Sequence, residues 1–232
     1  MLISPFIRKK CSHIHLVMLG STQLSTVDSM RILGVQFCDD LSWTSHCNVV
    51  RRKMNCMVGV LKRCGRSINT DIRQRVYNSF IAPHLDYCLP VWGHLPKTSA
   101  DQMEHCVLRM LRCILNDPSA CFTTSTFKLL GLRTFQHATA VRCCARVFVA
   151  HRQGCLDNIL CLDENAVSAS QRCMRSDGAH KLRTVMPKRR ADDYCFQSAA
   201  PSTWNSLPNN ITSAASKHIL ISKIDEFYCS KF

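Results

Sequence analysis

Apolar residues recur at helical spacing in residues 43–155, which predicts a largely helical middle section. A first helix begins near Thr44 or Ser45, either of which can serve as its N-cap. Gly65 stops this helix, because glycine readily adopts the left-handed backbone conformation that ends helices. The apolar stripe of the helix comprises Val50, Met54, Met57, Val58 and Leu61.

A second helix is predicted from Asn69 or Thr70. Its apolar stripe comprises Ile72, Val76 and Phe80. Pro83 ends or kinks this helix, because proline has no backbone N–H for an internal helical turn.

Two longer helices follow. One begins near Ser99 and ends before Pro118, and the other runs from about Thr134 to His151 and stops at Gly154. The apolar face of the former comprises Met103, Val107, Met110, Leu111 and Ile114.

The two ends of the chain have different patterns. Residues 1–42 contain short apolar runs separated by turn residues, which is typical of β-strands. These runs are Ile14–Leu19, Leu24–Val27 and Arg31–Phe37. Residues 156–232 are rich in serine and asparagine, and only Ser216–Tyr228 has helical spacing. The predicted fold is mainly α, with a small β section, a helical bundle and an irregular C-terminal segment.

The charge of the chain is concentrated in its middle. Thirty Lys and Arg against sixteen Asp and Glu give a net charge of +14, and residues 43–155 contribute +11 of it. A solvated helix surface normally mixes both signs, so this excess predicts a phosphate backbone as partner. Such contacts position a duplex without reading its sequence. The candidate contacts are Arg51, Arg52, Lys53, Lys62, Arg63, Arg66, Arg73, Arg75, Arg109 and Arg112.

The sixteen cysteines do not have the spacing of a metal site. Structural zinc sites use closely spaced ligand pairs, and no C-x-x-C pair occurs here. Most thiols are therefore interpreted as small buried side chains. The N-terminal segment places apolar residues before basic ones, the reverse of a secretory signal, and no apolar run is long enough to span a bilayer. We expect an intracellular protein, nuclear or cytoplasmic, with no membrane partner.

The most specific motif lies where the β section meets the helices. Residues 31–37 read RILGVQF, and residues 40–43 read DLSW. Together with the basic amphipathic helix that follows, this pattern resembles the end of the palm in reverse transcriptases of non-LTR retrotransposons, the jockey-like LINE group.

Further segments resemble the same family in the same order. Residues 79–92, SFIAPHLDYCLPVW, are similar to its SL-x-x-P-x-L-(D/E)-Y-x-x-PVW pattern, and residues 101–114 resemble a degraded form of its next helix. Leu129–Leu132 resemble its LGL step, and Trp204–Pro208 resemble its C-terminal WNSLP. Met1–Ser4 resemble the segment just after its N-x-x-K-T palm motif. Each match is short, but together they extend over nearly the whole chain.

The resemblance implies a C-terminal palm remnant in residues 1–42, a helical thumb and connection region in residues 43–155, and a post-thumb segment in residues 156–232. It implies descent from an RNA-directed DNA polymerase, with an RNA–DNA hybrid or a duplex as a non-specific partner. The family holds its catalytic Mg²⁺ with three carboxylates, one on an early palm strand and two in an (F/Y)-A-D-D hairpin. Both elements precede the point where this chain starts. The chain alone is therefore predicted to have no catalytic residues, no cofactor and no polymerase activity.

Phe37–Asp40 spells F-x-D-D and imitates the catalytic hairpin. The only acidic residue upstream is Asp28, which is too close along the chain to lie on an independent strand. We therefore interpret Asp39 and Asp40 as turn residues before a helix N-terminus, where the helix dipole favours acidic side chains.

Two other hypotheses remain open. One is a non-functional transposon relic that folds only partly or is degraded. The other is a recruited module that binds protein through methionines on the helices, although such methionines usually face a core. These methionines are Met54, Met57, Met103 and Met110. The tryptophans are predicted to pack in a core rather than to stack on bases, and they are Trp43, Trp92 and Trp204.

Overall fold

The computed structural model describes residues 18–25, 27–64, 67–120, 126–127, 130–155, 182 and 195–230. These residues are mainly helical, with two small antiparallel sheets, which confirms the predicted mainly α class. The helices are α1 (Thr44–Cys64), α2 (Thr70–Val76), α3 (Ala82–Asp86), α4 (Leu89–Trp92), α5 (Lys97–Leu115), α6 (Phe135–Arg152), α7 (Phe196–Asn205), α8 (Asn209–Thr212) and α9 (Lys217–Ser230).

Four short strands pair as two antiparallel hairpins. The strands are β1 (Met18–Leu19), β2 (Thr22–Gln23), β3 (Ser29–Ile32) and β4 (Val35–Cys38). The predicted run Arg31–Phe37 is not one strand, because the chain reverses at Leu33 and Gly34, both of which have positive φ. The described residues of Leu24–Val27 form no strand, and Ile14–Leu19 is described only at its last two residues, which belong to β1.

The hairpin of β3 and β4 packs against α1. The backbone N–H of Gln36 donates to His46 Nδ1 at 3.3 Å, and the Tyr87 hydroxyl donates to the carbonyl of Leu33 at 2.6 Å. These bonds attach the hairpin to α1 on one side and to the end of α3 on the other.

The first core lies between α1, α5 and the start of α6. The predicted stripe of α1 is confirmed, since Val50, Met54, Val58 and Leu61 are buried and Met57 packs partly buried against them. The whole predicted stripe of α5 is also buried. Other buried members of this core include Tyr77, Ile81, Leu89, Trp92 and Phe135.

Helix α2 begins as predicted, because the Asn69 side chain accepts a hydrogen bond from the backbone N–H of Ile72 at 3.0 Å. The predicted continuous helix is interrupted, however. A π-helical segment, Tyr77–Ile81, follows α2, and Pro83 lies in the first turn of α3. Proline is tolerated there because the first helical turn does not need its N–H.

The predicted apolar stripe of this region is wrong for Ile72 and Phe80, whereas Val76 packs partly buried against the first core. Ile72 and Phe80 are 45% and 61% exposed. The buried positions are Arg73, Tyr77 and Ile81, one residue further along the chain. Both sets have helical spacing, and only packing against α5 decides which of them faces the core.

Residues 195–230 are more ordered than the sequence predicts. The terminal helix is confirmed as α9, but α7 and α8 were expected to be irregular and are helical. Helix α7 contains Pro201 and several serine and threonine residues, which are weak helix formers, so its local sequence argues against a helix. Burial of Ala200, Pro201 and Trp204 stabilises it nevertheless.

These C-terminal helices form a second core with α6. The α6 side chains in this core are Val141, Cys143, Cys144, Val147 and Phe148. The C-terminal members include Ala200, Trp204, Leu207, Ile211, Leu220 and Ile224. Hydrophobic contacts therefore cross the predicted boundary at residue 155, and α6 contributes to both cores because its first residue, Phe135, belongs to the first.

Candidate nucleic-acid interface

Helix α1 has one buried face and one exposed face, and the exposed face is basic. Its buried side chains recur every three or four positions, which leaves the opposite side of the helix in solvent. The helix carries five basic and no acidic side chains. Four of the five are exposed and Arg51 is half-buried. The five are Arg51, Arg52, Lys53, Lys62 and Arg63.

A shallow groove runs along this face. Asn55, Cys56 and Gly59 form its middle, and Arg52 and Arg63 lie towards its two ends. The separation of these two arginines along the helix corresponds to about 16 Å. Since phosphates of one strand follow each other about every 3.4 Å along a duplex axis, the face is long enough to contact several of them.

The carboxylates lie elsewhere. Among the residues that the structure describes, the ion pairs of arginine join Arg133 to Asp225 and Arg142 to Asp86, and His137 Nε2 lies 2.9 Å from Asp225 Oδ1. Within that part of the chain, no basic side chain of α1 pairs with a carboxylate. The positive charge of its exposed face is therefore not neutralised by these neighbours.

Helix α5 carries two acidic side chains, the exposed Asp101 and Glu104, and Glu104 is bonded to α6. Glu104 Oε2 accepts a hydrogen bond from the backbone N–H of Phe135 at 2.7 Å, at the start of α6. Burial raises the pKa of Glu104, whereas the bonds from the α6 backbone oppose that shift. Three carboxylates from three different helices thus gather around α6: Asp86, Glu104 and Asp225.

Helix α5 adds two exposed arginines, Arg109 and Arg112. Arg109 Nη1 donates to Asn55 Oδ1 of α1 at 3.3 Å, and Arg51 Nη1 donates to Gln102 Oε1 of α5 at 2.8 Å. The sequence did not identify Asn55 and Gln102, because neutral amides are common on helix surfaces and no local pattern indicates which of them meet across a packed helix pair.

Three of the ten candidate contacts lie outside α1 and α5. Arg75 is exposed on α2, and Arg66 lies outside the described residues. The prediction that Arg73 contacts phosphate is wrong. Arg73 is only 3% exposed, and its guanidinium donates to the carbonyls of Ile68 at 3.1 Å and Cys113 at 2.7 Å. It therefore joins α2 to α5 and does not belong to an external surface.

Lys53 extends the positive field towards the β3–β4 hairpin. Burial lowers the pKa of His46, and the nearby charges of Lys53 and Arg31 lower it further. Burial and Lys53 also lower the pKa of His84. Both histidines are therefore neutral at physiological pH and add nothing to the charge of this surface.

The Asp-Asp pair forms a turn before α1. Asp39 Oδ1 accepts from the backbone N–H of Asp40, and Asp40 Oδ1 accepts from that of Ser42, both at 2.9 Å. This is the predicted local role. In the part of the chain that the structure describes, no three His, Cys, Asp or Glu side chains are grouped closely enough to hold a metal ion.

The methionines and tryptophans pack mainly inside the protein. Met54, Met103 and Met110 are at most 1% exposed, and Met57 is partly buried. This confirms that these methionines pack against the core, Met57 only in part. Trp92 and Trp204 are buried as predicted, and Trp43 packs edge-on against Phe37 with ring centres 5.4 Å apart.

None of the described helices is both long and apolar enough to cross a membrane. No family model, curated protein or solved structure matches this chain.

Proposed function

We propose that this chain is a C-terminal fragment of a non-LTR retrotransposon reverse transcriptase that binds nucleic-acid backbones and does not itself polymerise DNA. The exposed face of α1, with four basic side chains, the half-buried Arg51 at its edge and no acidic side chain, is the observation that carries the binding proposal. The ordered motifs in residues 31–43, 79–92 and 204–208 support the family.

The chemistry of the face favours the phosphate backbone over the bases. Arginine and lysine neutralise phosphates without reading sequence. Single-strand binders add aromatic side chains on which bases stack, and the groove on α1 is lined by none. A duplex or an RNA–DNA hybrid is therefore the proposed ligand, bound without sequence preference.

Polymerase catalysis is assigned to no residue of this chain. In the proposal, residues 1–42 are the remnant of a palm and residues 43–155 are the thumb that grips template and primer. The carboxylates of Asp39 and Asp40 cap backbone N–H groups of their own turn. We expect no primer extension with Mg²⁺ or Mn²⁺. Extension that is lost on changing both residues to Ala would contradict this assignment.

Salt dependence tests the binding proposal. We expect the chain to bind random-sequence duplex and RNA–DNA hybrid at low salt, with affinity falling steeply between about 50 and 200 mM salt. The Arg52→Gln/Arg63→Gln variant should lower the slope of log affinity against log salt by about 1.8, since each lost phosphate contact removes about 0.9. Fluorescence anisotropy titrations measure both quantities.

A matched control is Arg146→Gln, which removes an exposed arginine from α6, away from the basic face. It should leave the slope nearly unchanged. If the wild-type chain binds neither ligand at low salt, or if Arg146→Gln has the same effect as one substitution on α1, the proposed interface is wrong.

A further inference from the structure

Two arginines on the boundary between α1 and α5 differ from the others on the basic surface. Arg51 of α1 donates to Gln102 of α5, and Arg109 of α5 donates to Asn55 of α1. Each guanidinium is thus held by an amide oxygen of the opposite helix. Arg51 Nη1 also lies 3.4 Å from Asn48 Oδ1, so two amides hold this one group.

The identity of these partners matters. A carboxylate partner orients an arginine but also neutralises it, as Asp225 does for Arg133. An amide oxygen orients the guanidinium and leaves its full positive charge available to a ligand. The arginines around α6 that bind Asp86 and Asp225 thus differ from Arg51 and Arg109, whose partners between α1 and α5 are neutral amides.

Both hydrogen bonds cross the contact between α1 and α5. Along α1 the two bonded positions, Arg51 and Asn55, are one turn apart, a rise of about 6 Å. Along α5 the two bonded positions, Gln102 and Arg109, are two turns apart, a rise of about 10 Å. Distances of this size correspond to two or three successive phosphates of one strand, which are about 3.4 Å apart along the duplex axis. A single strand of a duplex can therefore meet both groups.

Arg51 is also partly immobilised before any ligand binds. It is half-buried, and its Nε is enclosed without a hydrogen-bond partner among the described residues. An arginine held in this way loses less side-chain entropy on binding than a fully exposed one. The exposed Arg52 and Arg63 are not held to the opposite helix by any hydrogen bond found among the described residues.

We propose that Arg51 and Arg109 form a pre-oriented phosphate-binding pair between α1 and α5, and that Gln102 and Asn55 are the positioning residues for it. This inference rests on the proposed nucleic-acid binding. It adds that one part of the basic surface fixes the position of a strand, while the remaining basic side chains supply only attraction.

Removing the amides tests positioning separately from charge. Gln102→Ala and Asn55→Ala leave the net charge unchanged, so the salt slope for duplex binding should stay the same. The affinity should fall by between about twofold and tenfold for each, the range that one lost hydrogen bond gives. Gln102→Glu should pair with Arg51 and lower the slope by about 0.9.

The control is Gln136→Ala, which removes an exposed amide from α6 and should not change binding. Circular dichroism and thermal unfolding of each variant identify any loss of affinity that is due to misfolding. Arg51→Gln and Arg109→Gln provide a second measurement, and each should weaken binding more than Arg52→Gln does.

The outcomes separate the two proposals. If Gln102→Ala and Asn55→Ala bind like the wild-type chain, and the three arginine variants lose equal affinity, the pair does not exist and the general binding proposal stands. If the wild-type chain binds neither duplex nor hybrid, both proposals fail.

Discussion

Asp225 on α9 and Arg133, just before α6, form a doubly hydrogen-bonded ion pair. Both N–H···O bonds, from Nε to Oδ1 and from Nη2 to Oδ2, are 2.7 Å long. His137 Nε2 lies 2.9 Å from the same carboxylate. The second core is thus attached to the start of α6 by a polar contact as well as by apolar packing, and α6 joins the two cores through both.

We predict that Asp225→Asn lowers the free energy of unfolding at pH 7 by about 2 kcal/mol, the scale of hydrogen bonds to charged groups at a partly exposed site. Burial opposes ionisation, but the bonds from Arg133 and His137 outweigh it and lower the pKa of Asp225 to about 2 from its ordinary value of 3.8. A carboxylate with a depressed pKa stabilises the fold above its unfolded pKa. This stabilisation is therefore lost as the pH falls from about 4 to about 2.

Urea denaturation of the wild-type chain and of Asp225→Asn, at pH 7 and at lower pH down to about 2, measures this difference in unfolding free energy. Glu226→Gln, on the neighbouring exposed position of α9, is the control and should change stability little. A variant of Asp225 as stable as the wild-type chain at pH 7 would mean that the ion pair contributes nothing.

For Glu104 we predict the opposite dependence of unfolding free energy on pH. Because burial raises its pKa, ionisation of Glu104 at neutral pH costs stability, and that cost grows as the pH rises through its folded pKa. Glu104→Gln retains an oxygen for the N–H of Phe135 and should keep or raise the melting temperature at pH 7. Glu104→Ala leaves the N–H of Phe135 without this acceptor, although Thr134 still caps α6 by accepting from the N–H of His137, and should cost about 1 kcal/mol. Equal melting temperatures for the two variants would argue against a stabilising bond between Glu104 and Phe135.

His46 connects the basic helix to the hairpin and should titrate below 6.5, its ordinary value, because burial and the charges of Lys53 and Arg31 disfavour its protonated form. The contribution of neutral His46 to the free energy of unfolding is then fully present above pH 6.5, and it is lost as the pH drops through the folded pKa of His46. NMR titration of the imidazole measures the midpoint. Lys53→Gln should raise it, and a wild-type midpoint at or above 6.5 would contradict the buried, neutral state.

Arg73 and Arg75 should separate stability from binding. Arg73→Met leaves the buried carbonyls of Ile68 and Cys113 without their donor and should cost about 2–3 kcal/mol in unfolding free energy. Arg75→Gln should leave stability within about 0.5 kcal/mol, because the side chain is exposed. Chemical denaturation compares the two. Equal stability of both variants would contradict the buried role of Arg73.

The relic hypothesis also becomes measurable. Two cores joined by α6 predict one cooperative unfolding transition, since loss of α6 disrupts both. Thermal unfolding followed by circular dichroism should show a single sigmoidal transition. A gradual loss of signal without a transition would favour a chain that does not fold stably.

The sequence by itself determined where the three longest helices lie. Helices α1, α5 and α6 begin and end within about two residues of their predicted bounds, because helical periodicity and capping depend on neighbouring residues. The concentration of positive charge on α1 is also a property of the sequence, since the helix contains no acidic residue.

Only the tertiary structure decided which side chains those helices bury and which they bring together. Arg73 and Arg75 are two positions apart, yet one is buried and the other exposed, because α5 covers one side of α2. Helix α7 forms despite Pro201, because its apolar face is buried against α6. The contact of Arg51 with Gln102 joins residues 51 positions apart, which no local pattern specifies. Such contacts depend on how whole helices pack together, and the helix propensities of single residues are too weak to determine that packing.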